Sequence, residues 1–192
     1  MIVACLGDSI TAGSPLWDPD AAVRAGIESP DERSQWGYWA MRAHPGLELR
    51  NHGVYGERTD QIAARLEDAV DGAEAVVVQG GINDVVQGRP VEAAAANLSG
   101  MVQLARQRGV KVVGVADVLP WNNGDTRAAA EIERLNSLIV ALSCGLHVRL
   151  LPFNATLADP DDGSRMRAEY TDDGDHPSVA GHRLLGERAF RP

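Results

Sequence analysis

Four short stretches of this chain carry side chains of the kinds that acyl transfer needs. Ser9 stands in Gly7-Asp8-Ser9-Ile10-Thr11, directly after the apolar run from Ile2 to Leu6. A serine placed where a strand turns into a helix is a candidate nucleophile, because the backbone N–H groups of the turn lower the cost of a developing negative charge. Gly56 closes Asn51-His52-Gly53-Val54-Tyr55-Gly56, and without a side chain its N–H can approach a substrate oxygen closely. Asn83, in Gly80-Gly81-Ile82-Asn83-Asp84, offers an amide donor, and a donor aimed at a developing oxyanion is worth about 2.7–4 kcal/mol of barrier. His176, in Asp173-Gly174-Asp175-His176-Pro177, is a base with a reference pKa near neutrality. Asp173, three residues earlier in a loop that contains a glycine, can fold back onto the other ring nitrogen and fix the tautomer.

These residues need a scaffold that brings them to one place, and the rest of the sequence supplies it. Short β-branched apolar runs recur over 2–6, 47–51, 75–79, 111–116 and 148–153, each of strand length. Helical spacing and good helix formers fill 37–42, 59–70, 91–108, 127–144 and 178–190 between and after them. Thr59 and Ser178 are expected to cap two of these helices, Pro90 to precede one and Gly109 to end it. Alternating β and α elements imply a parallel sheet covered on both faces, and a single domain over residues 1–192 is expected. The long or turn-rich connections, 14–36, 85–90, 119–126 and 154–176, all follow strands and emerge on one rim. In an open α/β sheet that carboxyl rim is where ligands bind.

Composition narrows the function from the other side. Eighteen Lys and Arg against twenty-seven Asp and Glu give a net charge of −9 among 192 residues, with no basic stripe to offset it. Nucleic acid and anionic membranes are therefore poor partners. No run approaches the roughly 20 apolar residues of a membrane span. Met1 to Leu6 offers neither a basic segment nor a long enough apolar one for a signal peptide, so a cytoplasmic location is expected. The two cysteines, Cys5 and Cys144, sit in apolar surroundings and are expected to be reduced structural thiols. No Gly-x-Ser-x-Gly elbow, Gly-x-Gly-x-x-Gly fingerprint or Walker loop is present.

Taken as blocks, the four stretches resemble the SGNH hydrolases, also called GDSL-type esterases and lipases. The match is Ser9 in Gly7-Asp8-Ser9, Gly56 in Asn51-x-Gly53-x-x-Gly56, Asn83 in Gly81-x-Asn83-Asp84, and Asp173-x-x-His176-Pro177, in the family's order and across nearly the whole chain. The resemblance implies a flavodoxin-like, three-layer α/β/α fold with five parallel strands in the order 2-1-3-4-5. It implies serine hydrolysis of esters through an acyl-enzyme, with Ser9, His176 and Asp173 as triad. The oxyanion hole would comprise the Ser9 N–H, the Gly56 N–H and the Asn83 amide. No metal or organic cofactor is implied.

Two residues depart from the family pattern. Ile10 replaces the leucine of the family's name, a volume-conserving exchange. Asp175 puts a carboxylate beside the base, where a neutral residue is the commoner choice, and the expectation is that it favours the imidazolium form. Asp8, Asp84, Thr11 and Asn51 read as organisers of loops rather than as participants in the chemistry.

The substrate expected from sequence is a small-molecule ester with a short acyl chain, O-acetyl groups on carbohydrate included, because no rim loop has the broad apolar run of a lipid lid. A thioesterase or lysophospholipase of the same family, and a catalytically idle carbohydrate- or ester-binding protein, are the competing readings. Trp17 and Trp121, in the loops after the first and fourth strands, either wall the substrate pocket or pin their own loops. The segment 14–36 holds five acidic residues against two arginines, a rim that disfavours anionic substrates. The sequence does not fix an oligomeric state.

Overall fold

In the computed structural model, which describes residues 1–190, the five expected strands form one parallel sheet: β1 (Ile2–Gly7), β2 (Glu48–Gly53), β3 (Ala75–Val78), β4 (Val112–Ala116) and β5 (Arg149–Leu151). Their order is β2-β1-β3-β4-β5, with Cys5 facing Asn51 on one side and Val77 on the other. Ten α-helical segments join them: α1 (Ser9–Ala12), α2 (Ala21–Arg24), α3 (Trp36–Ala43), α4 (Thr59–Ala64), α5 (Leu66–Ala69), α6 (Ile82–Val86), α7 (Val91–Gln107), α8 (Thr126–Gly145), α9 (Phe153–Leu157) and α10 (Val179–Leu184). This is the flavodoxin-like arrangement, and the strand order reverses between β1 and β3. That switch point leaves a crevice at the carboxyl ends of the two strands.

Alternation along each strand splits the core in two. Ala4, Leu6, Val76, Val78, Val113 and Val115 face a layer built from α4, α5, α7 and α8, with Leu98, Met101, Leu135 and Ile139 fully buried in it. Val3, Cys5, Ala75 and Val77 face the other layer, where Trp36 of α3 packs edge-on against Phe153 of α9 with ring centroids 5.6 Å apart.

Some boundaries differ from the periodicity, for physical reasons. The expected helix over 59–70 breaks at Arg65, whose guanidinium reaches the carbonyl oxygens of His52 and Gly7 and the carboxylate of Glu57. Thr59 is not a cap: it is the first helical residue, and its hydroxyl and N–H both donate to Asp84. The last helix changes to a wider π turn over Leu185–Ala189, which sets Gly186 against α3 where a Cβ would lie 2.4 Å from the Trp36 carbonyl oxygen. Ser178 caps α10 as expected, accepting from the Gly181 N–H. Cys5 is buried, whereas Cys144 is exposed near the end of α8, outside the apolar stripe. Among the described residues no helix is long and apolar enough to cross a membrane.

Candidate active site

Ser9 begins α1 where β1 ends, and the turn that delivers it is fixed from several directions. Asp8 caps the helix, its Oδ1 accepting from the Ile10 N–H at 2.9 Å. Gln79, the residue after β3, accepts from the Thr11 hydroxyl at 2.9 Å and from the Asp8 N–H at 3.3 Å. The end of β2 presses on the same helix: a Cβ on Gly53 would lie 2.1 Å from the Ala12 nitrogen, so only glycine lets the two backbones come this close. Asn51 ties the pair together, donating to the Ala12 carbonyl and accepting from the Gly53 N–H. These contacts give Asp8, Thr11 and Asn51 the loop-organising roles expected of them.

Two of the three candidate oxyanion donors, Gly56 and Asn83, are tied together through Glu57. Asn83 lies in the first turn of α6, directly after the loop that follows β3, and its side-chain amide donates to the Glu57 carbonyl oxygen at 2.9 Å. Gly56, the residue before Glu57, has φ +77° with open space where a Cβ would stand. The Glu57 carboxylate is anchored by Arg65 at 2.6 Å, and Asp84 beside Asn83 holds Thr59. The loops after β2 and β3 therefore form one braced unit.

The candidate base arrives from the far end of the chain. His176 Nε2 is 3.2 Å from Ser9 Oγ, and Nδ1 is 2.8 Å from Asp173 Oδ2. Asp173 Oδ1 accepts from the His176 N–H at 2.7 Å and from the Asp175 N–H at 2.8 Å. Partial burial works against ionisation of Asp173, but the backbone and ring contacts of His176 and the Asp175 N–H outweigh it and hold its carboxyl below the usual carboxylate range. A hydroxyl, an imidazole and a carboxylate in this sequence are what general-base activation of a nucleophile requires.

Asp175 is engaged elsewhere than at the base. Its Oδ1 accepts from the Trp121 indole N–H at 2.6 Å and from the Asn123 side-chain amide at 2.8 Å. Asn123 also donates to the Asp173 carbonyl oxygen, and the Asn122 N–H donates to that of Gly174, so the loop after β4 is stapled to the loop that carries the base. The two tryptophans thus part company. Trp121 stands beside Asp175, whereas the Trp17 ring lies under the guanidinium of Arg24 in its own loop at 4.5 Å.

A family model described as the GDSL-like lipase/acylhydrolase family matches residues 5–184. The chain belongs to the GDSL-like lipase/acylhydrolase family. No curated protein matches this GDSL-family chain in sequence. Its fold is similar to that of a member of the lipolytic protein G-D-S-L family from Veillonella parvula, at 19% identity and TM-score 0.77 over 97% of this chain and 94% of that one. It is similar also to TesA, at 24% identity and TM-score 0.72 over 97% and 95%. A catalytic mutant of an acetylxylan esterase from Geobacillus stearothermophilus matches at 19% identity and TM-score 0.74 over 98% and 91%.

Gln79, Arg65 and Asn123 contribute to this GDSL-family site with little or no signal in the sequence. Gln79 is a polar residue at the end of an otherwise apolar run, the one signal that it had a task. Arg65 and Asn123 gave no signal, since their partners lie in other loops. Tyr55, 67% exposed, has its ring centroid 6.3 Å from that of His176.

Proposed function

We propose that this GDSL-family hydrolase is a serine esterase that cleaves carboxylic esters of short acyl chains, O-acetyl groups on carbohydrate among them, through an acyl-enzyme. The observation that carries the reading is the continuous relay from Ser9 Oγ to His176 Nε2 at 3.2 Å and from His176 Nδ1 to Asp173 at 2.8 Å. His176 takes the Ser9 proton as Oγ attacks the acyl carbon. The carbonyl oxygen becomes an oxyanion facing the N–H groups of Ser9 and Gly56 and the Asn83 amide. The tetrahedral intermediate collapses, the C–O bond to the alcohol breaks, and His176 delivers its proton to the leaving oxygen. Water activated by the same imidazole then attacks the acyl-enzyme and releases the acid and free Ser9. Asp173 stays ionised throughout and stabilises the imidazolium. Apart from the attacking water, each group assigned a role in these steps is a side chain or N–H of the chain.

The relative that is an acetylxylan esterase is in keeping with a short acyl group, and TesA shares the fold. A thioester or lysophospholipid substrate would use the same steps with a different leaving group. The test is hydrolysis of p-nitrophenyl acetate, butyrate and octanoate by the protein beside its Ser9→Ala variant. Turnover that falls with chain length and disappears in the variant is the expected result, and no Ser9-dependent turnover of any ester would overturn the reading.

A further inference from the structure

Of the three donors expected to face an oxyanion, Ser9 and Asn83 belong to helices, and the Gly56 N–H has no regular element to hold it. Gly56 lies in the turn from Val54 to Glu57, whose closing bond from the Glu57 N–H to the Val54 carbonyl is long at 3.5 Å. An N–H···O bond normally spans about 2.7–3.2 Å, so this turn is weakly held by itself. The contacts that place it come from outside. At its start the Val54 N–H donates to the Gly7 carbonyl at 3.0 Å, and at its end the Glu57 carbonyl accepts from the Asn83 side chain at 2.9 Å.

One guanidinium gathers these ends. Arg65 stands at the break between α4 and α5, and its Nε and Nη2 donate to the two oxygens of the Glu57 carboxylate at 3.2 and 2.6 Å. Nη1 donates to the His52 carbonyl at 3.0 Å and Nη2 to the Gly7 carbonyl at 3.3 Å. Gly7 is two residues before Ser9 at the end of β1, and Glu57 directly follows Gly56. The other end of α4 is fastened as well, since Thr59 gives its N–H and hydroxyl to Asp84, the neighbour of Asn83. The segments that carry Ser9, Gly56 and Asn83 therefore meet on one strut, α4, with Arg65 at its end.

Resting on the esterase reading of Ser9, we infer that Arg65 is a positioning residue for the oxyanion hole: it sets the spacing of the Gly56 N–H and the Asn83 amide from Ser9, acting through Glu57 and the Gly7 carbonyl. Its charge is already met by the Glu57 carboxylate at 2.6 Å, so the contribution is geometric rather than a field on the reacting oxygen. A planar fork holds a carboxylate in direction as well as in distance, which a single ammonium does not reproduce across three partners. A donor displaced by a fraction of an ångström still admits the ester but no longer meets the oxyanion that forms from it. The effect therefore falls on kcat rather than on KM.

The experiment measures kcat and KM for p-nitrophenyl acetate with the wild type, Arg65→Ala, Arg65→Lys, Glu57→Gln and Asn83→Ala, and with Arg65→Ala and Glu57→Gln each combined with Asn83→Ala. Arg65→Ala is expected to lower kcat by about 10–100-fold with KM nearly unchanged, the size that a misplacement near 1 Å can carry. Arg65→Lys keeps the charge, loses the fork and is expected to fall with Arg65→Ala rather than with the wild type. Glu57→Gln keeps the shape, weakens the charge-assisted contact and lowers kcat less. Both losses are expected to shrink several-fold in the Asn83→Ala background, because residues that act on one hole are coupled. A residue that only stabilises the fold costs the same factor in both backgrounds, and that result overturns the inference. Full kcat in Arg65→Lys overturns it too. If Arg65→Ala does not fold, the Glu57→Gln pair supplies the same comparison. An additive result beside Ser9-dependent turnover in the wild type strikes the role of Arg65 alone, whereas a wild type with no such turnover removes the esterase reading and this role together.

Discussion

Asp173 holds His176 at two points: one carboxylate oxygen lies 2.8 Å from the ring Nδ1 and the other accepts the residue's own backbone N–H at 2.7 Å. The ring is therefore fixed in tautomer and in direction by the same side chain, within a loop of four residues. Asp173→Asn keeps an acceptor for the backbone but can turn an amide N–H toward Nδ1, which favours the tautomer that cannot take the Ser9 proton. By analogy with the serine protease triad, kcat is expected to fall by about 10⁴-fold. Urea unfolding should show little change beside it, and a variant with kcat within tenfold of wild type would remove Asp173 from the proposed role.

Asn83→Ala is expected to lower kcat by about 10²–10³ with a much smaller change in KM, because the amide is asked to act on charge that develops only in the transition state. The same side chain also donates to the Glu57 carbonyl, so thermal unfolding needs to be followed in parallel. Near-normal kcat in a stable variant would take Asn83 out of the oxyanion hole. A lowered melting temperature with unchanged kcat would make the Glu57 contact its whole contribution.

Stability should respond to pH in two opposite ways. His182 is buried in α10 with no partner for either ring nitrogen among the described residues, and burial, with the neighbouring His176, holds its pKa down to about 3. Between pH 6.5 and 3 the unfolded chain takes up a proton there that the native state refuses, so this residue makes stability fall as pH falls. Burial pushes Asp8 and Asp117 up to about 6. From pH 3.8 to 6 the native state keeps protons that the unfolded chain loses, so these two make stability fall as pH rises. Melting curves from pH 4 to 8 should show His182→Leu gaining on the wild type as pH drops and Asp8→Asn gaining as pH rises. Each slope is limited to about 1.4 kcal/mol per pH unit per proton. Curves that stay parallel to the wild type would contradict these assignments.

Much of this was legible in the sequence because the informative residues sit where local rules act. Three of the five strands, β1, β3 and β4, are short runs rich in Val or Ile, and Ser9, Gly56, Asn83 and His176 each follow a strand or precede a helix, so a parallel sheet gathers them on one rim. The residues that escaped are those whose meaning depends on distant partners. Thr59 has a cap's identity, but Asp84, 25 residues away, claims both its donors. Gln79 matters only because sheet register sets it beside Asp8 and Thr11. Asp175 read as a charge beside the base, and its carboxylate instead meets Trp121, 54 residues away in sequence. Trp17 and Trp121 were alike in type and in lying in loops that follow strands, and their partners, Arg24 on one side and Asp175 on the other, separate them.

The central claim is that Ser9 forms the acyl-enzyme, and the direct measurement is rapid-quench hydrolysis of p-nitrophenyl acetate followed by intact-protein mass spectrometry. The account predicts a burst of p-nitrophenol and a mass increase of one acetyl group located at Ser9, both absent in Ser9→Ala. Turnover in Ser9→Ala equal to that of the wild type, or an acetyl group found on another residue while Ser9 stays unmodified, would contradict it.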